Sequence, residues 1–277
     1  MDRSGLAGSY NSEDAILLAA MINQSYHLFE TESLVLPKGF SLRYTIRALA
    51  GVEEPEPEVF GFIAESPDKI IVVFRGTRTF KDNESDQDLY QVPYPFVKNA
   101  GKTHRGFTCI YQSTRNDLIK AVSKLPKSKR LFVAGHSLGG GLAVLAGFDF
   151  AVNTKFKKPF VYTYGSPRVA DPDPVFASRF NEKVTNSVRI MNVHDIIPTL
   201  PAKAYLPPFT KHGLYYRHVH TNYLLSFQLN SVAVRNHEIV CYYKFLSEQD
   251  PDYTKALCEE NPGFCPDTAL CVPLKIM

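Results

Sequence analysis

Residues 129–141 read KRLFVAGHSLGGG, and this stretch constrains the fold more than any other. Leu131-Phe132-Val133-Ala134 is a short apolar run of strand type, and 142–150 is an apolar helical stretch. Between them stands Gly135-His136-Ser137-Leu138-Gly139, a G-x-S-x-G. A serine framed in this way occupies a sharp strand-to-helix turn that lifts its hydroxyl out of the backbone at the end of a sheet. Both glycines are steric requirements, because a Cβ at Gly135 or Gly139 would strike the neighbouring strand or helix. With 16 glycines in 277 residues, the motif in this strand–helix setting is seldom met by chance.

The surrounding chain supports a layered α/β reading. From Ser113 onward helical and strand patterns alternate: helix over 107–125, the strand and helix around Ser137, strands over 160–164 and 187–193. That alternation predicts a mostly parallel central sheet flanked by helices. Upstream, Asn11 or Ser12 caps a first helix to about His27, with Ile16, Ala19, Ala20 and Ile22 on one face. Residues 59–65 and 70–74 read as strands joined by a hairpin at Ser66-Pro67-Asp68. GVEEPEPE (51–58) is an acidic, Pro-rich turn, and Asn236 or His237 opens a last helix through about Leu246. No repeat or linker divides residues 1–277, so a single domain is expected, with 248–277 a Cys/Pro-containing C-terminal tail.

Composition narrows the function classes. Apolar residues make up 44% and charged residues 21%, an ordinary globular profile. A net charge of +3 is too small to argue for nucleic acid. No apolar run reaches the about 18 residues of a membrane span. MDRSGLAGSYNSED lacks a basic flank followed by an apolar stretch, so no signal peptide is visible, and location stays open between secreted and cytoplasmic. Of five cysteines, Cys109 and Cys241 sit in apolar runs and read as buried thiols. Cys258, Cys265 and Cys271 cluster in the tail, where one disulfide is expected. Neither their spacing nor a nearby histidine suits zinc.

A serine hydroxyl is a poor nucleophile near neutral pH. It needs a histidine to take its proton and an acid to orient that histidine. Reactive groups gather beyond the C-terminal strand ends of a doubly wound sheet, in the chain order Ser, acid, His. Asp195 follows the strand Val188-Arg189-Ile190-Met191-Asn192-Val193 and fits. Asp171 and Asp173 are rivals, but DPDP ahead of a helix reads more simply as capping. Four histidines follow. His212 lies in a Pro-rich loop, and His218 and His220 alternate in RHVH as sheet-edge or core residues. His237 stands where a loop meets the last helix and can reach over the strand ends. His136, next to Ser137, should pack against the sheet. For an oxyanion the candidates are the Leu138 N–H and Thr77, at the end of the buried strand IVVFRGT, with Gly76 allowing close approach.

With these residues placed, the chain resembles the class 3 lipases, an α/β-hydrolase family that includes filamentous-fungal triacylglycerol lipases. The matching segments are VVFRGT (72–77), GHSLGGGLA (135–143), YTYGSPRVAD (162–171), NVHDIIPTLP (192–201) and NHEIVCYYKFL (236–246). The resemblance implies an α/β-hydrolase fold and a Ser137–Asp195–His237 triad. It implies Thr77 and Leu138 as the oxyanion hole, no cofactor and no metal. It further implies hydrolysis of carboxylic esters of acylglycerols, with a lipid–water interface as a partner. Phospholipase A1 and feruloyl or aryl esterase are alternatives, and a non-catalytic lipid-binding relative is a remote one. One segment departs from the fungal pattern. Residues 78–96 stand where those lipases carry an apolar lid, yet 81–88 hold five charges in eight positions, and the chain has no tryptophan. Such a polar lid resembles the feruloyl esterases and argues against a strong jump in rate at interfaces. Leu89, Tyr90, Val92, Tyr94 and Phe96 suit the mouth of a pocket, and 198–216 a further wall. Acyl chain length and oligomeric state are not legible.

Overall fold

In a computed structural model of the chain, residues 10–49, 57–76, 90–171, 175–206, 213–219, 222–229 and 233–273 are described. Asn11 starts the first helix, α1 (Ser12–Thr31), its side chain accepting from the Asp14 N–H at 2.8 Å. An antiparallel meander follows: β1 (Ser41–Leu49), β2 (Pro57–Glu65) and β3 (Lys69–Phe74). β4 (Gln91–Pro93) and β5 (Lys102–His104) form a ribbon ahead of α2 (Arg105–Lys124). Then come β6 (Arg130–His136), α3 (Leu138–Asn153), β7 (Phe160–Tyr164), α4 (Phe176–Lys183) and β8 (Asn186–Asn192). A second ribbon pairs β9 (Ala204–Tyr205) with β10 (Leu214–Tyr215), and β11 (Asn222–Leu225), α5 (Ile239–Ser247) and α6 (Pro251–Glu260) complete the chain.

The seven-stranded main sheet runs β1-β2-β3-β6-β7-β8-β11 and is parallel from β3 onward. This is the α/β-hydrolase architecture, a mostly parallel sheet between helices. Strands β3 and β6 are apolar nearly throughout because both faces are covered. Ile70, Val72, Phe74, Leu131 and Val133 pack with α2 and α3; Ile71, Val73, Phe132 and Ala134 pack with α1 and α5. β6 is the middle strand, so Ser137 leaves the sheet at the centre of its C-terminal edge.

Several expectations need correction. Helix α1 is buried continuously from Asp14 to Ile22 rather than along one stripe, because it lies between the sheet and helices α5 and α6. β1 was not signalled: SLRYTIRAL carries two arginines and exposes Leu42 and Leu49, as an edge strand can. Cys241 is no thiol. It bonds Cys271, and Cys258 bonds Cys265, while Cys109 is free and exposed on the outer side of α2. The tail is accordingly fastened to the body, with Phe264 and Cys271 fully buried. Tyr94 and Phe96 do not form a mouth. Tyr94 is buried against Phe148 and Phe176 and donates to the Leu145 carbonyl at 2.8 Å, and Phe96 packs edge-on to Tyr94 and Tyr111. Of that group Tyr90 is exposed and Leu89 lies outside the described residues.

Candidate active site

The turn after β6 is as tight as its glycines require. A Cβ at Gly135 would stand 2.0 Å from the Gly139 carbonyl oxygen, inside α3. One at Gly139 would stand 2.4 Å from the carbonyl oxygens of Phe74 and Arg75, at the end of β3. Between them Ser137 takes φ 57°, ψ −130°. Non-glycine residues held there store on the order of 1–3 kcal/mol of strain, sustained by the surrounding structure. Here the Ser137 N–H donates to the Tyr164 carbonyl at 3.0 Å and its own carbonyl accepts from Gly140 at 2.9 Å. Leu138 opens α3, so its N–H belongs to a first turn that has no intrahelical acceptor.

Three predicted residues meet. His237 Nε2 lies 2.8 Å from Ser137 Oγ, and His237 Nδ1 lies 2.7 Å from Asp195 Oδ2. Asp195 leaves the sheet just after β8, and its carboxylate is fully buried. Two further donors fix it: the Tyr242 hydroxyl to Oδ2 at 2.7 Å and the Ile197 N–H to Oδ1 at 2.9 Å. Asp171 is engaged elsewhere. It accepts from the Phe176 and Lys102 amides, capping α4 and tying it to β5. His218 Nε2 donates to the Pro198 carbonyl at 2.7 Å, and burial beside Arg189 and Arg168 pulls its pKa down to about 3. Asp173, His212, His220, Thr77 and residues 78–89 lie outside the described residues.

Six further residues hold this arrangement, and of these the sequence singles out only His136, as a residue packing against the sheet. Gly165 has φ 54°, and a Cβ there would stand 2.8 Å from Asp195 Oδ2 and 3.0 Å from the His237 ring. Asn192, fully buried, donates from its side chain to the Phe227 and Asn236 carbonyls and accepts from the Phe227 N–H at 3.0 Å. It thereby ties the Asp195 side of the site to the loop that bears His237. Tyr242 accepts from the Asn192 N–H at 2.9 Å while donating to Asp195; burial and that carboxylate push its phenol pKa up. His136 Nε2 donates to the His237 carbonyl at 2.6 Å, which leaves Nδ1 as the acceptor from the Tyr26 hydroxyl at 2.7 Å. Tyr26 in turn accepts from the Gly76 N–H at 2.8 Å. Burial, then the neighbouring His237 ring, hold the His136 pKa well below that of ordinary imidazole. Arg75, the last residue before Gly76, is 1% exposed between the rings of Phe29 and Phe60; it donates to the Val59 and Gly76 carbonyls and pairs with Glu58 at 3.0 Å. The end of β3 is thus clamped beside Ser137: a Cβ at Gly76 would stand 2.7 Å from that of Ser137.

Comparison with known proteins finds a matching family. The lipase (class 3) family matches residues 71–205, which include Ser137 and Asp195. The lipase of Rhizomucor miehei is 34% identical over 65% of this chain. These matches support the class 3 lipase family. It covers 47% of the Rhizomucor miehei lipase and 36% of the Rhizopus niveus lipase, so it spans half or less of these curated relatives. A secreted mono- and diacylglycerol lipase of Malassezia globosa is 28% identical over 72% of the chain and 66% of that protein. Among solved structures, the Rhizomucor miehei lipase–propeptide complex superposes with a TM-score of 0.61 at 24% identity, covering 78% of this chain and 70% of that one. A triacylglycerol lipase whose catalytic centre is a serine protease triad gives 0.61 at 23%, covering 78% and 82%. These likenesses establish the class 3 lipase fold. No group of three or more potential metal ligands occurs among the described residues, and no helix there is long and apolar enough to cross a membrane.

Proposed function

We propose that the protein is a serine hydrolase of carboxylic esters, acting on acylglycerols through an acyl-enzyme, with Ser137, His237 and Asp195 as its catalytic residues. The observation that carries the reading is the continuous hydrogen-bonded series from Ser137 Oγ through both nitrogens of His237 to a buried carboxylate. Asp195 accepts a hydrogen bond from Nδ1–H, which leaves Nε2 as a base facing the serine. Ser137 Oγ attacks the ester carbonyl as its proton passes to His237. The tetrahedral intermediate then expels the alcohol, which takes that proton. Water enters by the same route and releases the acid. We assign the oxyanion to the Leu138 N–H at the start of α3 and to Thr77. We also read residues 1–277 as one hydrolase domain working at a lipid–water interface. A phospholipase A1 reading is supported by a chloroplastic phospholipase A1 of Arabidopsis thaliana, 28% identical over 65% of the chain.

The decisive test is Ser137→Ala assayed on p-nitrophenyl esters of graded chain length. Turnover should fall by several orders of magnitude with folding intact. A phosphonate ester should add one equivalent of mass at Ser137 alone. Activity retained in the alanine variant, or label on another serine, would overturn the mechanism. Chain-length preference and a phosphatidylcholine arm separate acylglycerol from phospholipid use. Thr77→Val keeps the backbone donor; a turnover drop on the order of 10²-fold would assign its hydroxyl to the oxyanion.

A further inference from the structure

Eleven large apolar side chains stand exposed among the described residues. Singly placed ones need no explanation. Only Leu42, Leu49 and Leu224 of these belong to the outermost strands β1 and β11; the other eight lie on loops, a ribbon, a 3-10 turn and the C-terminal tail. Five of the eight lie on the segments that carry the candidate catalytic histidine and acid or on the tail tied to them. Val193 and Ile196 flank Asp195, and Val234 stands three residues ahead of His237. Leu270 and Val272 come from the tail, which crosses against the same loop. Leu229 bridges Pro273, and Arg235 Nη1 donates to the Leu270 carbonyl at 3.2 Å. The Asn192 side chain closes the circuit by binding the Phe227 and Asn236 carbonyls.

The tail is built to present these two residues. Cys271, between them, is 0% exposed and bonded to Cys241 of α5, the helix that begins two residues after His237. Leu270 and Val272 are 68% and 53% exposed. A covalent pin at the middle residue turns its two neighbours outward, where water solvates them poorly. The charged residues neighbouring these segments in the chain, Arg235, Glu238 and Asp267, are of mixed sign, which favours an uncharged surface over an anionic one.

We propose that Leu270 and Val272, held outward by the disulfide-pinned Cys271, anchor the mouth of the site on the surface of an uncharged acylglycerol phase. The proposal rests on the ester-hydrolase reading, and it gives the tail beyond residue 248 a part in reaching aggregated substrate. The full chain and its Leu270→Asp/Val272→Asp variant are compared for partition onto a triolein emulsion and for hydrolysis of dissolved p-nitrophenyl butyrate. A Leu42→Asp/Leu49→Asp variant, on the far edge strand, is the control. The tail variant should partition at least about tenfold more weakly. It should hydrolyse the dissolved ester at the parent rate, and the control should behave as parent in both. Parent partition should hold from low to high salt. Undiminished partition of the tail variant, an equal loss in the control, or a parent that leaves the emulsion at high salt each overturns the anchor. So does a parent that is dimeric in water while the tail variant is monomeric, since the patch then belongs to a second copy. If the double substitution lowers the melting temperature, Leu270→Ser and Val272→Ser, read singly, decide by the same partition measurement. A parent inactive on the dissolved ester overturns the hydrolase reading, and the partition result is read independently.

Discussion

The turn that carries Ser137 and the loop that carries His237 are held in place by different means. The turn is fixed by backbone sterics over five residues: glycines at 135 and 139 where a Cβ would meet carbonyls at 2.0 and 2.4 Å, and a strained serine between them. The histidine loop has no such local rule. It is held by side chains from distant parts of the chain: Asn192, His136, Tyr242 through Asp195, and the disulfide behind it. A steric device tolerates no substitution, whereas a network of hydrogen bonds loses its members one at a time.

This contrast orders the expected effects of mutation. Gly139→Ala should be the most damaging change, because backbone on both sides must move; overpacking typically costs about 1–3 kcal/mol and more where backbone is struck. Loss of soluble, cooperatively melting protein is expected, and a Gly139→Ala protein with parental melting and activity would break the comparison. Asp195→Asn comes next: turnover should drop on the order of 10⁴-fold while the melting temperature changes little. Asp171→Asn should leave turnover near parental and lower the melting temperature slightly. Kinetics and thermal melts of both variants separate acid from cap. Tyr242→Phe removes one of three donors to the carboxylate. A hydrogen bond to a charged group contributes about 1.5–3 kcal/mol, so turnover should fall about ten- to a hundred-fold with the Michaelis constant nearly unchanged. A rise in the Michaelis constant alone would assign Tyr242 to substrate binding instead. Smallest should be Tyr26→Phe, which removes a donor to His136 and an acceptor for Gly76. A several-fold loss of turnover is expected, measured on a dissolved ester so that interfacial binding does not enter.

The same contrast explains what could be read in the sequence. Ser137 and its glycines are legible because the constraint is local. Strands β3 and β6 are legible because burial on both faces leaves nearly uninterrupted apolar runs. Asp195 and His237 followed from chain order and from their places after a strand and before a helix. Gly165 and Asn192 could not be found that way. What makes them necessary is a carboxylate 30 residues further on and carbonyls 35 and 44 residues away, which meet only in the folded chain. The cysteines misled for a related reason. An apolar setting says that Cys241 is buried, and a partner 30 residues downstream in a Pro-rich tail leaves no mark on it.

His136 has a consequence for behaviour in acid. Its ring is enclosed between Tyr26 and the His237 carbonyl, and burial keeps it neutral far below the usual imidazole range. The unfolded chain has no such restraint and takes up a proton near pH 6.5. Below that pH the unfolded state binds protons that the folded state refuses, so stability falls as acid is added, by about 1.4 kcal/mol per pH unit for each such histidine. His218, with its pKa at about 3, adds a second share over the interval from about 6.5 down to that value. Urea denaturation midpoints measured from pH 7.5 to 5 should therefore decline, and His218→Gln should flatten the slope by one proton's worth. The neutral imidazole that braces the His237 backbone thus makes the folded protein acid-labile.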